Sequence, residues 1–247
     1  MWSAPGAKLT PDSDADRFQI VSNLSHELRG PLQVLNGYLE ILAEDWGAEF
    51  SGEPRRMIER LRHSAGQLTQ TIESLLEYTA AAVGIQPTAR ETVDFTELIA
   101  ELKPGFDAAA KRKKIFLVWR IEPRLKLAGS DRRRLMSITS NLVSNAIKFT
   151  TRGGVTVRLR RSRVRHQWTV ELSVTDTGIG MDEKRIEQAF APFVQLSSSN
   201  SRDHRGLGLG LALVRENVRI LGGTLEVKSK PAAGTRFTVR FIENSRD

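Results

Sequence analysis

The sequence predicts two domains of different fold class, a helical hairpin that pairs with a second copy and an α+β domain that follows it. Residues 13–84 carry apolar side chains at alternating steps of three and four, the spacing of helices that pack along a seam. Residues 85–91 contain Pro87 and interrupt this pattern, so they read as a linker. From residue 92 to residue 247, helical patterns mix with short strand-like runs.

The first domain is predicted to be two antiparallel helices joined by a short turn at Gly47 to Gly52. The seam of the first helix runs through positions 18, 21, 25, 28, 32, 35, 39, 42 and 46, and that of the second runs from Ile58 to Ala82. A lone hairpin cannot bury both its seam and its second face, so we expect a homodimer that forms a four-helix bundle. The alternative is a hairpin packed on its own C-terminal domain.

The second domain is predicted to carry helices on one face of a mixed sheet. Its predicted helices are Phe95–Lys111, Asp131–Thr150, Glu183–Phe190 and Leu209–Leu221, and its predicted strands are Ile115–Ile121, Val155–Arg163, Thr169–Thr175, Leu225–Lys228 and Thr235–Ile242. Residues 1–12 contain small residues with two prolines and are interpreted as a tail or linker.

Composition excludes several classes of protein. The chain has no run of about 18 apolar residues and no signal-peptide pattern, so we expect a cytoplasmic protein or the cytosolic part of a membrane-bound one. It has no cysteine, which excludes disulfides, thiolate metal sites and a cysteine nucleophile. The net charge of +8 favours acidic partners, but charge alone does not choose among nucleotides, proteins, nucleic acid and membranes.

His26 lies in the helical stretch Ser22–Leu32, one position away from the apolar seam. It is therefore expected to flank the packed stripe and to reach solvent. Glu27 follows it directly, and Pro31 is expected to bend the helix beside it because proline lacks the N–H that would bond to the Glu27 carbonyl. A single surface histidine on a helix is usually without function, so a role for His26 depends on evidence from other residues of the chain.

Asn141, Asn145 and Lys148 follow one another at steps of four and three in the second domain. This spacing places two amide groups and one ammonium group on the same helix face. An amide oxygen is a suitable hard ligand for Mg²⁺, and lysine can neutralise a phosphate.

Two glycine-containing stretches in the second domain are also suited to nucleotide binding. Asp176–Met181 follows a predicted strand and offers a carboxylate that can accept a hydrogen bond from an amino group; its glycines let the backbone approach a ligand. Arg205–Leu211 leads into a predicted helix, and its alternate glycines leave N–H groups at the helix N-terminus for a polyphosphate. Residues 195–204 before it are rich in serine and charge, as a mobile lid would be.

Together and in this order, these stretches resemble the sequence boxes of bacterial sensor histidine kinases of two-component systems. Ser25–Leu32 resembles the phosphoacceptor box, Asn141–Phe149 the N box, Asp176–Gly180 the first glycine box, Phe190–Phe193 the F box and Gly206–Gly210 the second glycine box. The match covers about residues 16–243.

The resemblance implies a dimerisation and histidine phosphotransfer hairpin in residues 13–84 and a catalytic domain in residues 92–247. The catalytic domain would have the ATP-binding α+β sandwich that histidine kinases share with gyrase and heat-shock chaperone ATPases. The implied cofactors are ATP and Mg²⁺. The implied partners are a second copy of the chain and the receiver domain of a response regulator, whose aspartate accepts the phosphate; no nucleic acid is expected.

The resemblance also implies residue roles. His26 would attack the γ-phosphate while Glu27 takes the imidazole proton, and Asn145 would bind Mg²⁺ with Asn141 beside the metal and phosphates. Lys148 and Arg202 or Arg205 would contact phosphates, Asp176 would read the adenine amino group, and the pocket would be completed by Phe149, Gly178, Gly180, Gly206, Leu207, Gly208, Leu209 and Gly210.

Three positions depart from the family or from related ATPases. Gly30 stands where the family usually has threonine or asparagine to orient a water for dephosphorylation, so we predict kinase activity with weak phosphatase activity. Ser137 replaces a common glutamine, a change that the sequence does not explain. Asn141 stands where related ATPases have a water-activating glutamate, which favours transfer to protein over hydrolysis.

Two alternative functions stay open at this level. One is a non-catalytic signalling scaffold derived from a histidine kinase, against which the intact His26 and nucleotide residues argue. The other is a nucleic-acid binder, suggested by the net charge and by a concentration of arginines at positions 132–134, 152, 158, 160, 161, 163 and 165. Because Arg158 and Arg160 alternate with apolar residues, a solvated outer face of a strand explains them well, and no groove-reading element is recognisable.

Overall fold

The computed structural model describes residues 28, 30–42, 52–82, 89–164, 166–194 and 208–243. The chain divides into two compact units, Met1–Gln86 and Pro87–Asp247. In the part of the chain that the structure describes, no helix has the length and hydropathy that a membrane crossing requires.

The first unit is a pair of helices, α1 over residues 30–42 and α2 over Glu53–Ala82. Leu32 and Leu39 of α1 are buried, as is Ala65 of α2. Asn36 Nδ2 donates to Thr69 Oγ1 across the pair at 3.0 Å. The predicted helical hairpin is therefore confirmed as a packed pair of helices.

Along α1, and around Ala65 of α2, only alternate seam residues are buried within one chain, whereas farther along α2 the buried residues are Leu76, Ala80 and Ala81, which lie beside the predicted seam. Leu35 and Leu42 of α1 are exposed, although they belong to the same predicted seam as Leu32 and Leu39. On α2, Leu61 and Leu68 are likewise exposed on either side of the buried Ala65, and their exposed fractions are 55% and 47%. One hairpin thus leaves a large part of its apolar stripe in water.

The second unit is an α+β domain of two sheets and four helices in the described residues. In chain order its elements are β1 (Glu91–Asp94), α3 (Phe95–Lys113), β2 (Phe116–Ile121), β3 (Lys126–Ser130), α4 (Arg132–Phe149), β4 (Gly154–Val164), β5 (Gln167–Asp176), α5 (Glu183–Ala189), α6 (Gly210–Ile220), β6 (Thr224–Lys230) and β7 (Gly234–Ile242).

The main sheet is mixed and has the strand order β2-β4-β5-β7-β6. Strand β2 pairs with β4 in parallel, whereas the remaining neighbours are antiparallel. The inward-facing residues of β4 and β5 are buried together with one face of α4, which includes Ile138 and Leu142. The predicted mixed sheet with helices on one face is confirmed.

Aspartates fix the start of three helices in this domain. Asp94 accepts from Thr96 N at the start of α3, and Asp182 accepts from Lys184 N at the start of α5. Asp131 accepts from the backbone N–H groups of the first turn of α4. A carboxylate at this position satisfies orphan N–H groups and complements the helix dipole.

The small sheet of β1 and β3 is a feature that the sequence does not predict. The two strands are antiparallel, with Glu91 opposite Ser130 and Val93 opposite Leu127. They are four and five residues long, and their composition is mostly charged or small. Neither strand therefore carries the alternating apolar pattern by which a strand is recognised.

Candidate functional site

The predicted amide face of α4 is present and half-buried. Asn141, Asn145 and Lys148 are all of intermediate exposure, while Leu142 and Ala146 between them are buried in the core. The face is therefore held in place by the packing of the opposite side of α4, and its polar side chains remain partly exposed to solvent.

The start of α6 lies directly against this face. A Cβ placed on Gly210 would lie 2.9 Å from Asn141 Oδ1 and 3.6 Å from Asn145 Nδ2. The absence of a side chain at Gly210 thus lets the first residue of α6 approach both amides. The structure brings together the N box and the second glycine box, although a long stretch of chain separates them.

Asp176 is buried at the end of β5, beside the turn that leads into β7. Its Oδ1 accepts from Gly178 N at 2.8 Å and from Thr235 N at 3.3 Å. Within the described residues, Oδ2 has no hydrogen-bond partner. Burial raises the pKa of the Asp176 carboxyl, and the two backbone hydrogen bonds partly oppose this rise. The arrangement leaves one carboxylate oxygen for a ligand that donates.

The two glycines after Asp176 pack against the protein's own backbone. A Cβ on Gly178 would lie 2.4 Å from the carbonyl oxygen of Phe149, and one on Gly180 would lie 1.9 Å from that of Lys230. Ile179 N also donates to the Phe149 carbonyl at 3.3 Å. These contacts place the Asp176–Gly180 loop at the C-terminal end of α4.

Two lysines meet at the C-terminal end of α4. Lys113 Nζ donates to the carbonyl oxygens of Ile147 and Lys148, at 2.7 and 2.5 Å, where cations complement the helix dipole. Burial lowers the pKa of Lys148, and the charge of Lys113 lowers it further. A phosphate near Lys148 would relieve this repulsion and favour the charged form.

The segment that carries the F box reaches the second glycine box. A Cβ on Gly208, whose φ is +71°, would lie 2.6 Å from the carbonyl oxygen of Val194. Leu209, which follows, is buried. Several predicted site residues lie outside the described residues: His26, Glu27, Arg202, Arg205, Gly206 and Leu207.

A polar network that the sequence does not reveal lies behind the amide face. Asn217 of α6 is fully buried, and it bonds both to Arg134 and to Ser137 of α4. The sequence offers one signal for Asn217, namely a polar residue within the apolar stripe of a predicted helix. Ser137 stands out in the sequence only as a departure from the family.

A depression of about 300 Å³ lies on the outer face of the main sheet. Arg158 and Arg160 point to this face, as their alternation with Val157 and Leu159 predicts. The buried Glu171 pairs with Arg160 and with Arg240. Part of the positive charge is therefore neutralised within the sheet, and none of the predicted nucleotide residues line this depression.

Comparison with known families identifies both units. Residues 16–82 match the family described as "His Kinase A (phospho-acceptor) domain". Residues 130–245 match the family described as "Histidine kinase-, DNA gyrase B-, and HSP90-like ATPase". The fold and site thus define an ATPase domain joined to a phosphoacceptor domain. The chain belongs to the two-component sensor histidine kinases and represents their catalytic core.

Individual relatives agree with this assignment. Sensor histidine kinase AtsR of Burkholderia thailandensis is 30% identical over 216 residues, which are 87% of this chain and 35% of that protein. The autoinducer 2 sensor kinase/phosphatase LuxQ of Vibrio harveyi is 28% identical over 94% of this chain and 27% of its own length. The chain therefore spans between about a quarter and about a third of the length of these two relatives.

A solved structure with a similar fold is that of full-length ShkA in complex with AMPPNP. It superimposes with a TM-score of 0.73 at 26% sequence identity, over 93% of this chain and 47% of that one. The similarity extends over both units of the chain.

Proposed function

We propose that this chain autophosphorylates His26 with ATP and passes the phosphoryl group to an aspartate of a response regulator. The observation that carries the proposal is the convergence of Asn141, Asn145 and Gly210, from two distant sequence boxes, on one half-buried face. The phosphoacceptor family match over residues 16–82 supports His26 as the acceptor.

The proposed reaction needs little covalent help from the ATP-binding domain. A neutral imidazole has one protonated nitrogen and one free lone pair, and the lone pair of His26 attacks the γ-phosphorus in line. The bond between phosphorus and the oxygen of the leaving ADP breaks as the N–P bond forms, and Glu27 takes the imidazole proton. The remaining contribution is positioning and charge neutralisation. We infer that the linker at residues 85–91 is the hinge that brings ATP to His26.

The described residues suit a magnesium–ATP complex. Asn145 would supply a hard amide oxygen to Mg²⁺, and the bound ion would neutralise charge on the ATP phosphates. Burial and the charge of Lys113 lower the pKa of Lys148, and a phosphate beside its ammonium group would offset both effects. The Asp176 oxygen without a hydrogen-bond partner in the described residues suits the adenine amino group.

The partly exposed seam of the hairpin supports a homodimer. A second hairpin would cover Leu35, Leu42, Leu61 and Leu68, which one chain leaves in water. Because these side chains are already about half-buried, covering the rest of each one contributes about half of the value for full burial, or about 1 kcal/mol. We propose a four-helix bundle that carries one His26 from each chain.

The proposal is tested by incubating the protein with Mg²⁺ and ATP labelled at either the γ- or the α-phosphate. We expect acid-labile incorporation from γ-labelled ATP, as a phosphoramidate requires, and none from α-labelled ATP. Asp176→Asn should abolish incorporation by weakening nucleotide binding, since an amide NH₂ repels the adenine amino group. Nucleotide binding without any acid-labile label would favour the non-catalytic scaffold instead.

Restoring a side chain at position 30 is expected to raise phosphatase activity. Gly30 lies at the start of α1, four residues after His26 in the sequence; it is exposed, and a Cβ added to it would meet nothing within 4 Å. Gly30→Thr therefore fits without strain and supplies the hydroxyl that can orient water toward a phosphorylated regulator. The measurement is phosphate release from a receiver domain that the wild-type protein has phosphorylated.

Gly30→Ala is the matched control for this prediction. It adds a Cβ and raises helix propensity, but it offers no polar group. We expect regulator dephosphorylation to increase with Gly30→Thr alone. Rapid dephosphorylation by the wild-type protein would contradict the proposal that Gly30 limits this activity.

A further inference from the structure

The two walls of the proposed nucleotide site are joined by a buried set of polar side chains on α4 and α6. Asn217 Oδ1 accepts from Arg134 Nη1 at 2.9 Å, and Asn217 Nδ2 donates to Ser137 Oγ at 3.2 Å. Asn217 is 0% exposed, so leaving either end of its amide without a partner would be costly. Its amide orientation is therefore fixed from both sides.

Ser137 also contacts Asn141, which lies one turn later on α4. It therefore links the fixed amide of Asn217 to the amide of Asn141. Asn141 Nδ2 donates to the Ser137 carbonyl at 2.9 Å and lies 3.4 Å from Ser137 Oγ. Both contacts hold the amide nitrogen on the side of Ser137. The amide oxygen is left on the side of Gly210, where a Cβ would lie 2.9 Å from Oδ1 and 3.7 Å from Cγ.

We propose that Ser137 and Asn217 are positioning residues that keep the amide oxygen of Asn141 turned toward the nucleotide and its metal. The proposal rests on the proposed function, in which Asn141 lies beside Mg²⁺ and the phosphates. A reversed amide would present NH₂ to a cation, which it repels, and would lose the hydrogen bonds to Ser137. This proposal gives a role to Ser137, whose replacement of the common glutamine the sequence alone does not explain.

The same network fixes the distance between α4 and α6. Arg134 lies within the first turn of α4, and it is buried with Asp131, which caps that helix. Asn217 follows Gly210 by two helical turns, on the same side of α6. A hydrogen bond from Asn217 to Ser137 therefore also keeps Gly210 close to Asn141.

The test is a double-mutant cycle on Mg²⁺-dependent nucleotide binding by the full chain, followed with a fluorescent ATP analogue. In the wild-type background, Ser137→Ala should raise the Mg²⁺ concentration for half-maximal binding roughly three- to ten-fold, the effect of one hydrogen bond. In an Asn141→Ala background it should change nothing, because the residue on which it acts is gone. Ser137→Thr keeps the hydroxyl and should restore wild-type binding.

Thr139→Val is the matched control, because the Thr139 hydroxyl also donates to a carbonyl of α4, that of Leu135, which accepts no hydrogen bond from Asn141. We expect wild-type behaviour from it, and an unchanged melting temperature from Ser137→Ala. If Asn141→Ala weakens binding but Ser137→Ala does not, the positioning role is wrong. If Asn141→Ala itself has no effect, or the wild-type protein binds no Mg²⁺–ATP, the proposed function fails instead.

Discussion

Replacing His26 with glutamine is expected to reduce labelling from γ-labelled ATP to background while leaving ATP binding unchanged. Glutamine approximates the size of histidine but has no lone pair on nitrogen that can attack phosphorus. The residues proposed to bind ATP belong to the second unit of the chain, Pro87–Asp247, so they do not depend on His26 for their own packing. Labelling and fluorescent-nucleotide binding, measured on the same samples, separate the two steps.

His166→Gln is the control for the loss of a histidine. His166 lies in the turn between β4 and β5, is exposed, and has a φ of +69°, a left-handed value that costs glutamine at most about 1–2 kcal/mol. We expect this variant to be labelled as the wild type is. Label that persists in His26→Gln would place the acceptor elsewhere. Simultaneous loss of labelling and binding would instead indicate a folding defect.

The helices and the main sheet are predictable because their patterns are local. In α4, apolar residues recur along one face from Leu135 to Ile147, and Asp131 marks the start. In β4, alternation between buried and more exposed positions runs from Gly154 to Arg160, and in β5 it runs from Leu172 to Asp176. Patterns of this kind reflect burial on one face, and the spacing of apolar residues along the chain indicates which face is buried.

The contacts that complete the site are not predictable, because they join residues far apart in the chain. The sequence suggests that the glycines at 178 and 180 make room for a ligand, whereas the structure places them against the carbonyls of Phe149 and Lys230. The bond from Asn217 to Ser137 spans 80 residues. No local sequence pattern predicts such pairs. The one local signal is Asn217, a polar residue within the apolar stripe of a predicted helix.

Gly180→Ala is expected to destabilise the second unit and to abolish nucleotide binding. Gly180 has a φ of +63°, and a Cβ there would lie 1.9 Å from the carbonyl oxygen of Lys230, which belongs to the backbone of β6 and cannot rotate away. The left-handed conformation costs a non-glycine residue about 1–2 kcal/mol. Overpacking adds about 1–3 kcal/mol. We therefore expect a total loss of about 2–5 kcal/mol, a large share of the usual stability of a domain.

Gly222→Ala separates the cost of the left-handed conformation from the cost of overpacking. Gly222 has a φ of +66°, but nothing lies within 4 Å of its Cβ position. It should show the conformational cost alone, about 1–2 kcal/mol. Urea unfolding followed by tryptophan fluorescence gives both values if Trp2 and Trp46 are replaced by phenylalanine, which leaves Trp119 and Trp168 of the second unit as reporters. Equal losses for the two variants would mean that the Asp176–Gly180 loop can move away from Lys230. The close approach of this loop to the β6–β7 turn would then not be what holds Asp176 in place.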